Sequence, residues 1–284
     1  MAKTHSKNKK DKIKTICMVI FFTILAIIIL LPIYAIFLAS FKPGGQLIQY
    51  GLNLDLDFDQ MSFKNYILLF TGKHDYWTWF FNSVFLTAFT VVATLLISAF
   101  VGYGFAAYEF KGKNVLFVCV LIILSIPLEV VMLPLYKQMS VWGMMDSYTA
   151  IVLPFLAHAS TIFFFRQYLQ SLPKSLLEAG RIDGASEYSI FFKLVIPIMK
   201  PAFAAMAILN GMNAWNNYLW PLLVIRSSDK YTLTLGLNTL INPYGNNYDL
   251  LIVGSFFSIV PIFALFIAFQ RYFIEGMTAG AVKG

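Results

Sequence analysis

Glu178-Ala-Gly-Arg-Ile-Asp-Gly-Ala-Ser-Glu187, with Leu194-Val-Ile-Pro197 close behind it, is a polar island in an apolar chain. Ser171 and Pro173 read as a helix start, because proline is tolerated where the N–H has no helical partner. Ala179, Ile182 and Ala185 fall on one side at helical spacing, and Lys174 and Glu178 stand one turn apart, where opposite charges pair. Gly184 permits a left-handed helix end, and Ser186 can cap a second helix. Pro197 and Pro201 then bend that helix into the next apolar run. The stretch predicts a helix–turn–helix displaying Glu178, Arg181, Asp183 and Glu187. Physical grounds alone leave two readings open, an ordinary amphipathic connector or a surface made for a partner.

What flanks this island decides the fold class. Of the 284 residues, 59% are hydrophobic and 12% charged, against about 25% charged in a soluble domain. A hydrocarbon core about 30 Å thick needs roughly 20 apolar residues per helix. Six runs qualify: Ile16 to Ala39, Ser83 to Ala107, Val115 to Tyr136, Tyr148 to Phe165, Ala202 to Ile225 and Leu250 to Phe269. They are continuous rather than alternating, so an all-α polytopic membrane protein with six transmembrane helices is expected, not a barrel.

Charge orients the chain. With the N-terminus inside, 15 of the 21 basic residues fall on inner segments, leaving Lys42, Lys64, Lys73, Lys137, Arg226 and Lys230 outside. That asymmetry follows the positive-inside rule and makes both N- and C-termini cytoplasmic. The net charge of +7 is thus topological, and nucleic-acid binding is not expected. The first apolar run is too long for a signal peptide and reads as an uncleaved span. Cys17 and Cys119 both fall in spans and are expected to be buried, inert thiols.

The layout that follows is a basic tail over 1–15, a six-helix region over 16–273 enclosing the cytoplasmic loop 171–200, and a tail over 274–284. Outer loops cover 40–82 and 226–249. Within the first, Tyr66 to Phe70 reads as a short surface helix, with Trp77 and Trp79 at headgroup level. Pro127 and Pro134 should break the third span. The closing segment from Gly276 to Gly284 is rich in small residues, with little ability to fold alone.

The spacing Glu178-Ala-Gly, three residues, Gly184, nine residues, Leu194, one residue, Ile196-Pro197 resembles the EAA loop of bacterial ABC importer permeases. Leu194 and Ile196 stand where Ile and Leu are commoner, and Gly180 stands for the second Ala, at about 1 kcal/mol of helix propensity. Asn65-Tyr66, Asn82-Ser83, Pro134-Leu-Tyr136, Trp215-Asn216 and Gly280-Ala-Val-Lys-Gly284 extend the likeness to carbohydrate permeases similar to the maltose system's smaller membrane subunit. The resemblance implies a type I ABC importer permease fold in a bacterial cell membrane. It implies a second homologous permease subunit, a dimer of ATP-binding subunits carrying the ATP and Mg, and an extracytoplasmic sugar-binding protein touching loop 226–249. This chain itself would hold no cofactor or metal and would have no catalytic residues. Coupling to the ATPase would fall to Glu178, Ala179, Gly180, Asp183, Gly184 and Ala185, with Gly280 and Lys283 as a second contact.

For a carbohydrate substrate, the candidate pathway residues are Glu129, Asn213, Trp215, Asn216 and Asn217. Glu129 is an acid inside a span, where charges face a cavity or a partner; a structural pair or a hydrated position would explain it as well. Amides suit sugar hydroxyls and aromatic rings suit sugar C–H faces, although asparagines also bind helices together. His158 reads as a hydrogen-bonded packing residue. Two other classes were weighed. An ion-coupled transporter or channel calls for more intramembrane ionisable groups than Glu129. An embedded enzyme calls for ligand or nucleophile spacings that His5, His74 and His158 do not provide. No G-x-x-x-x-G-K-[S/T] is present, so any ATP site lies on another chain.

Overall fold

The computed structural model describes residues 9–72, 74–173, 175–242 and 245–281. Among the described residues, three helices are long and apolar enough to cross a membrane, Asp11–Ala39, Tyr76–Ala107 and Tyr248–Tyr272. Three bent pairs qualify when each is taken as one span: Lys113–Leu124 with Leu128–Val141 at 103°, Tyr148–Phe155 with Ala159–Gln170 at 41°, and Glu187–Ile198 with Lys200–Trp215 at 75°. That makes the six spans of an all-α membrane protein. The chain partitions into two compact units, residues 1–73 with 240–257 and residues 74–239 with 258–284.

The first unit is built on α1 (Lys9–Ala39), which is exposed on all sides from Asp11 to Tyr34. A helix apolar all round belongs in lipid or against another membrane protein. At its end, α2 (Gly45–Tyr50) and α3 (Lys64–Thr71) fold back. Buried Asn65 donates to the Ser40 and Lys42 carbonyls at 3.0 and 2.8 Å, satisfying groups the helix end leaves open. A two-residue antiparallel ladder, β1 (Ile241–Asn242) with β2 (Gly245–Asn246), precedes α15 (Tyr248–Phe257), whose Phe257 packs on Tyr66 and Phe70.

The second unit carries the remaining elements. Its axis is α4 (Tyr76–Ala107), a 32-residue helix without proline. A turn on Gly112 leads to α5 (Lys113–Leu124), and Ser125 to Pro127 separate that from α6 (Leu128–Val141). Pro127 breaks the span as expected, because proline lacks the donor and pushes its predecessor out of the helical region. Pro134 does not break it and sits inside α6. Ser147 caps α7 (Tyr148–Val152), a 3-10 turn over Leu153–Phe155 follows, and α8 (Ala159–Gln170) resumes. Next come α9 (Ser175–Ile182) and α10 (Glu187–Ile190), then a π-helical turn over Phe191–Val195 and α11 (Ile196–Ile198). The chain continues through α12 (Lys200–Trp215), α13 (Leu219–Val224), α14 (Leu233–Thr239) and α16 (Ile259–Ala281).

Several expectations need correcting. The run from Ala202 to Ile225 is not one helix: α12 stops at Trp215, where Asn216 and Asn217 favour caps over helix interiors. The closing segment is helical to Ala281, because an established helix propagates cheaply through Ala and Met. Trp79 is buried, with its indole N–H donating to the Ser228 carbonyl at 2.9 Å. Cys17 and Cys119 are exposed. An apolar side chain in a bilayer has no need to face protein.

Candidate functional site

The polar island forms an elbow. Gly184 adopts φ +75°, the left-handed turn that lets α9 end, and Ser186 Oγ accepts from the Ser189 N–H at 3.3 Å to start α10. Gly180 faces α10: a Cβ there would lie 3.1 Å from Ile190 Cγ1, so the missing side chain lets the two helices close. The propensity lost at Gly180 is thereby exchanged for close packing. Leu177, Ala185 and Leu194 pack on a core of Phe165, Phe191, Val195 and Met199. Ala185 therefore turns inward and does not share an outer face with Ala179 and Ile182, because the turn at Gly184 resets the helical register. The exposed apolar groups are instead Leu176, Ala179, Ile182 (84% exposed) and Tyr188, with Glu178 and Asp183 exposed among them. Lys174, the partner proposed for Glu178, lies outside the described residues.

Four side chains lock the elbow to the bundle. Arg181 Nε donates to Glu187 Oε1 at 2.7 Å, and the hydroxyls of Tyr103 and Tyr108 donate to Glu187 Oε2 at 2.9 and 2.6 Å. Tyr103 lies in the last turns of α4 and Tyr108 just beyond it. Burial, then the Glu187 carboxylate, hold the Tyr108 hydroxyl above its ordinary pKa. Neither tyrosine was singled out from sequence. Their only signal is position, at the end of a span facing the elbow.

Toward the opposite end of α4 lies a polar cavity of about 270 Å³. Ser83, Thr87, Thr90 and Thr94 line one side of it, at the four- and three-residue spacings of one helix face. Asn210 and Asn213 of α12, Asn217, His158 and Thr232 complete the polar lining. Asn210 donates to Thr161 Oγ1 at 3.0 Å and Thr94 Oγ1 to the Phe155 carbonyl at 3.1 Å. Three helix breaks converge here, since Leu128, His158 and Asn217 each lie at one. Irregular backbone at membrane depth is tolerated where it lines a cavity. The threonine stripe was legible in the sequence and was missed, because each threonine sits in an otherwise apolar span.

The remaining candidates scatter. Asn213 and Asn217 line this cavity. Asn216 is exposed and donates to the Met212 carbonyl at 2.9 Å. Trp215 is buried, donates to the Ser258 carbonyl at 3.1 Å, and borders a separate apolar cavity. Asn216, between the two cavity-lining asparagines, is thus turned away from them at the end of α12. Glu129 is exposed in the first turn of α6, one residue beyond cavity-lining Leu128. His158 Nδ1 pairs with Ser160 Oγ at 2.7 Å. Gly280 falls within α16, and Lys283 lies outside the described residues.

The loop after α13 is tied down rather than loose. Asn82 donates to the Asp229 and Tyr231 carbonyls at 2.8 and 3.0 Å. Asp146, at φ +57°, accepts from the Arg226 and Ser227 backbone N–H groups, both at 3.0 Å, and from Lys230 Nζ at 3.1 Å. Hydrogen bonds from the Ser227 hydroxyl and backbone and from the Arg226 backbone hold its carboxyl far below the usual range.

A family model described as "Binding-protein-dependent transport system inner membrane component" matches residues 96–279. The arabinooligosaccharides transport system permease protein AraQ of Bacillus subtilis (strain 168) is 52% identical over 269 residues, 95% of this chain and 96% of that protein. The protein of the same name from Halalkalibacterium halodurans is 50% identical over 278 residues, 98% of this chain and all of the other. A chain in the crystal structure of a bacterial ABC transporter involved in the import of the acidic polysaccharide alginate superposes with a TM-score of 0.79 at 26% identity, covering 95% of this chain and 100% of that one. Six spans, an elbow between two of them and a polar cavity among broken helices suit a conduit rather than a catalyst. The chain belongs to the family of inner membrane components of binding-protein-dependent transport systems.

Proposed function

We propose that this inner membrane component is one permease half of an ATP-driven ABC importer for a carbohydrate, an arabinose-containing oligosaccharide being the leading candidate. The elbow carries the reading. Leu176, Ala179, Ile182 and Tyr188 are exposed on a polar protrusion, and a partner's groove is what such a face suits. A separate ATP-binding subunit docks there, with Glu178 and Asp183 at the rim meeting basic groups and Gly180, Gly184 and Ala185 shaping the elbow from within. ATP and Mg stay on that subunit, whose dimer also meets the second permease, and Gly280 of α16 and Lys283 supply a second contact with it. Both termini then lie in the cytoplasm, and the loop beginning at Arg226 faces the sugar-binding protein. Asn213 and Asn217 line the path, and Glu129 borders it on the side that the second permease closes. Closure of the ATPase dimer moves the elbow, and the two six-span halves rock between inward and outward access.

The test is Glu178→Lys in the assembled transporter. Membrane insertion should persist, while uptake and substrate-stimulated ATP hydrolysis both fall at least tenfold. Wild-type uptake by the variant would remove the coupling role from Glu178, and failure to co-purify any ATPase with the wild-type chain would remove the reading.

A further inference from the structure

We infer that the cavity beside α4 is a binding site for one neutral sugar ring of the passing chain, and that it discriminates against anionic sugars. The inference rests on the carbohydrate reading above and assigns the substrate contact to this subunit. Among the described residues, the side chains of Thr87, Thr90, Asn213 and Asn217 carry no hydrogen bond, yet all four line the cavity. Two hydroxyls and two amides supply both donors and acceptors, which is what a ring bearing several hydroxyls requires. Leu86, Ile151, Phe155 and Pro221 form apolar walls for the C–H faces.

Size and charge narrow the ligand. About 270 Å³ is just below the 300 to 1,000 Å³ of ordinary small-molecule pockets, so one ring fits and a whole oligosaccharide does not. Among the described residues, no Asp, Glu, Lys or Arg lines the cavity. A carboxylate or phosphate entering it would lose its hydration without gaining a counter-charge, which is costly. The joints at residues 125–127, 156–158 and 216–218 lie beside the site, and interrupted helices are where transporters hold cargo. One turn further along α4, the buried Ser98 hydroxyl has no partner. It continues the hydroxyl stripe of α4 beyond the cavity.

The experiment uses the assembled transporter in vesicles with Ala214→Cys, a cavity-lining position without a polar group, in a Cys17→Ser, Cys119→Ser background. Labelling by a small maleimide is followed with sugar added directly to both faces and the binding protein left out, so that its selectivity does not enter. A neutral arabino-oligosaccharide should slow labelling at least fivefold, and the same chain carrying a terminal uronic acid should not. Thr87→Val and Asn213→Ala should each raise the half-protecting concentration about fivefold, the value of one ordinary hydrogen bond. If Ala214→Cys does not assemble, Leu128→Cys reports on the same wall. Unchanged labelling in vesicles that import the neutral sugar, or equal protection by the uronate, overturns the inference and leaves the carbohydrate importer standing. Failure of the wild-type assembly to import any neutral sugar overturns both.

Discussion

Glu187→Ala should loosen the elbow without unfolding the bundle. The carboxylate holds Arg181 at 2.7 Å, with a second contact at 3.4 Å, and accepts from Tyr103 and Tyr108 at 2.9 and 2.6 Å. The ion pair is 37% and 41% exposed, so it contributes only about 0.2 to 1 kcal/mol. Bonds from neutral donors to a charged acceptor reach about 1.5 to 3 kcal/mol when sheltered. Tyr108 is 37% exposed, so its bond contributes a fraction of that, whereas Tyr103 is buried and its bond contributes most of it. The sum is about 2 to 3 kcal/mol, which would speed exchange of the α9 and α10 amides through local opening by roughly 30- to 150-fold. Glu187→Gln keeps an acceptor and the shape, so it should lose only about 1 kcal/mol, or roughly fivefold. Hydrogen exchange read by mass spectrometry over 175–198, in the assembled transporter, measures both. Equal protection in wild type and Glu187→Ala would refute the lock, and equal loss in the Gln and Ala variants would show that charge alone matters.

Three further outcomes follow from the geometry. Gly180→Ala should be near neutral, since about 1 kcal/mol of helix propensity offsets the shift of Ile190, whereas Gly180→Leu should cost about 1 to 3 kcal/mol and lower the thermal midpoint of the purified assembly; a tolerated leucine would disprove the close approach. Asp146→Asn should release the 226–230 turn to limited proteolysis, and Asp146→Ala should do so more, because alanine also resists φ +57° where asparagine does not. Since the folded Asp146 carboxyl sits below its ordinary value, the contribution of that knot is complete above about pH 4 and fades as pH falls further; resistance to proteolysis that is flat from pH 6 to pH 3 would contradict it. Finally, Glu187→Ala should change the maleimide labelling rate of Ala214→Cys, on the α12 wall of the cavity, and an unchanged rate would separate elbow from cavity.

Much of the fold was legible because the bilayer imposes a simple code. Continuous apolar runs gave six spans, and Gly184 with Ser186 gave the turn of the elbow. Periodicity failed where a span is interrupted. Within Ala202 to Ile225 the signals that a helix stops at Trp215 are local ones, Asn216 and Asn217 as caps and Pro221 in the first turn of the helix that follows, and the apolar run hides them. Hydrophobicity likewise misjudged Cys17 and Cys119: in lipid an apolar residue is stable facing out or in, so composition does not report orientation. The elbow lock was illegible for another reason. Tyr103, Tyr108, Arg181 and Glu187 meet only when α4 and α9–α10 have packed, and no local spacing joins them.

The mechanical question is how motion at the elbow could reach a sugar. Between Tyr103 at the lock and Thr94 at the cavity, α4 runs nine residues, about 14 Å at 1.5 Å per residue, with no proline or interruption. A rod of that kind transmits a displacement with little loss. The wall facing it is built differently, for α5–α6, α7–α8 and α12–α13 are each jointed beside the cavity. A rigid wall opposite three hinged ones can change the width of the space between them while every helix keeps its own hydrogen bonds. In the proposed coupling, a pull on Glu187 would shift the threonine face as one body, and the joints would absorb the mismatch. The breaks that cost helix continuity would then let the cavity open and close without unwinding anything.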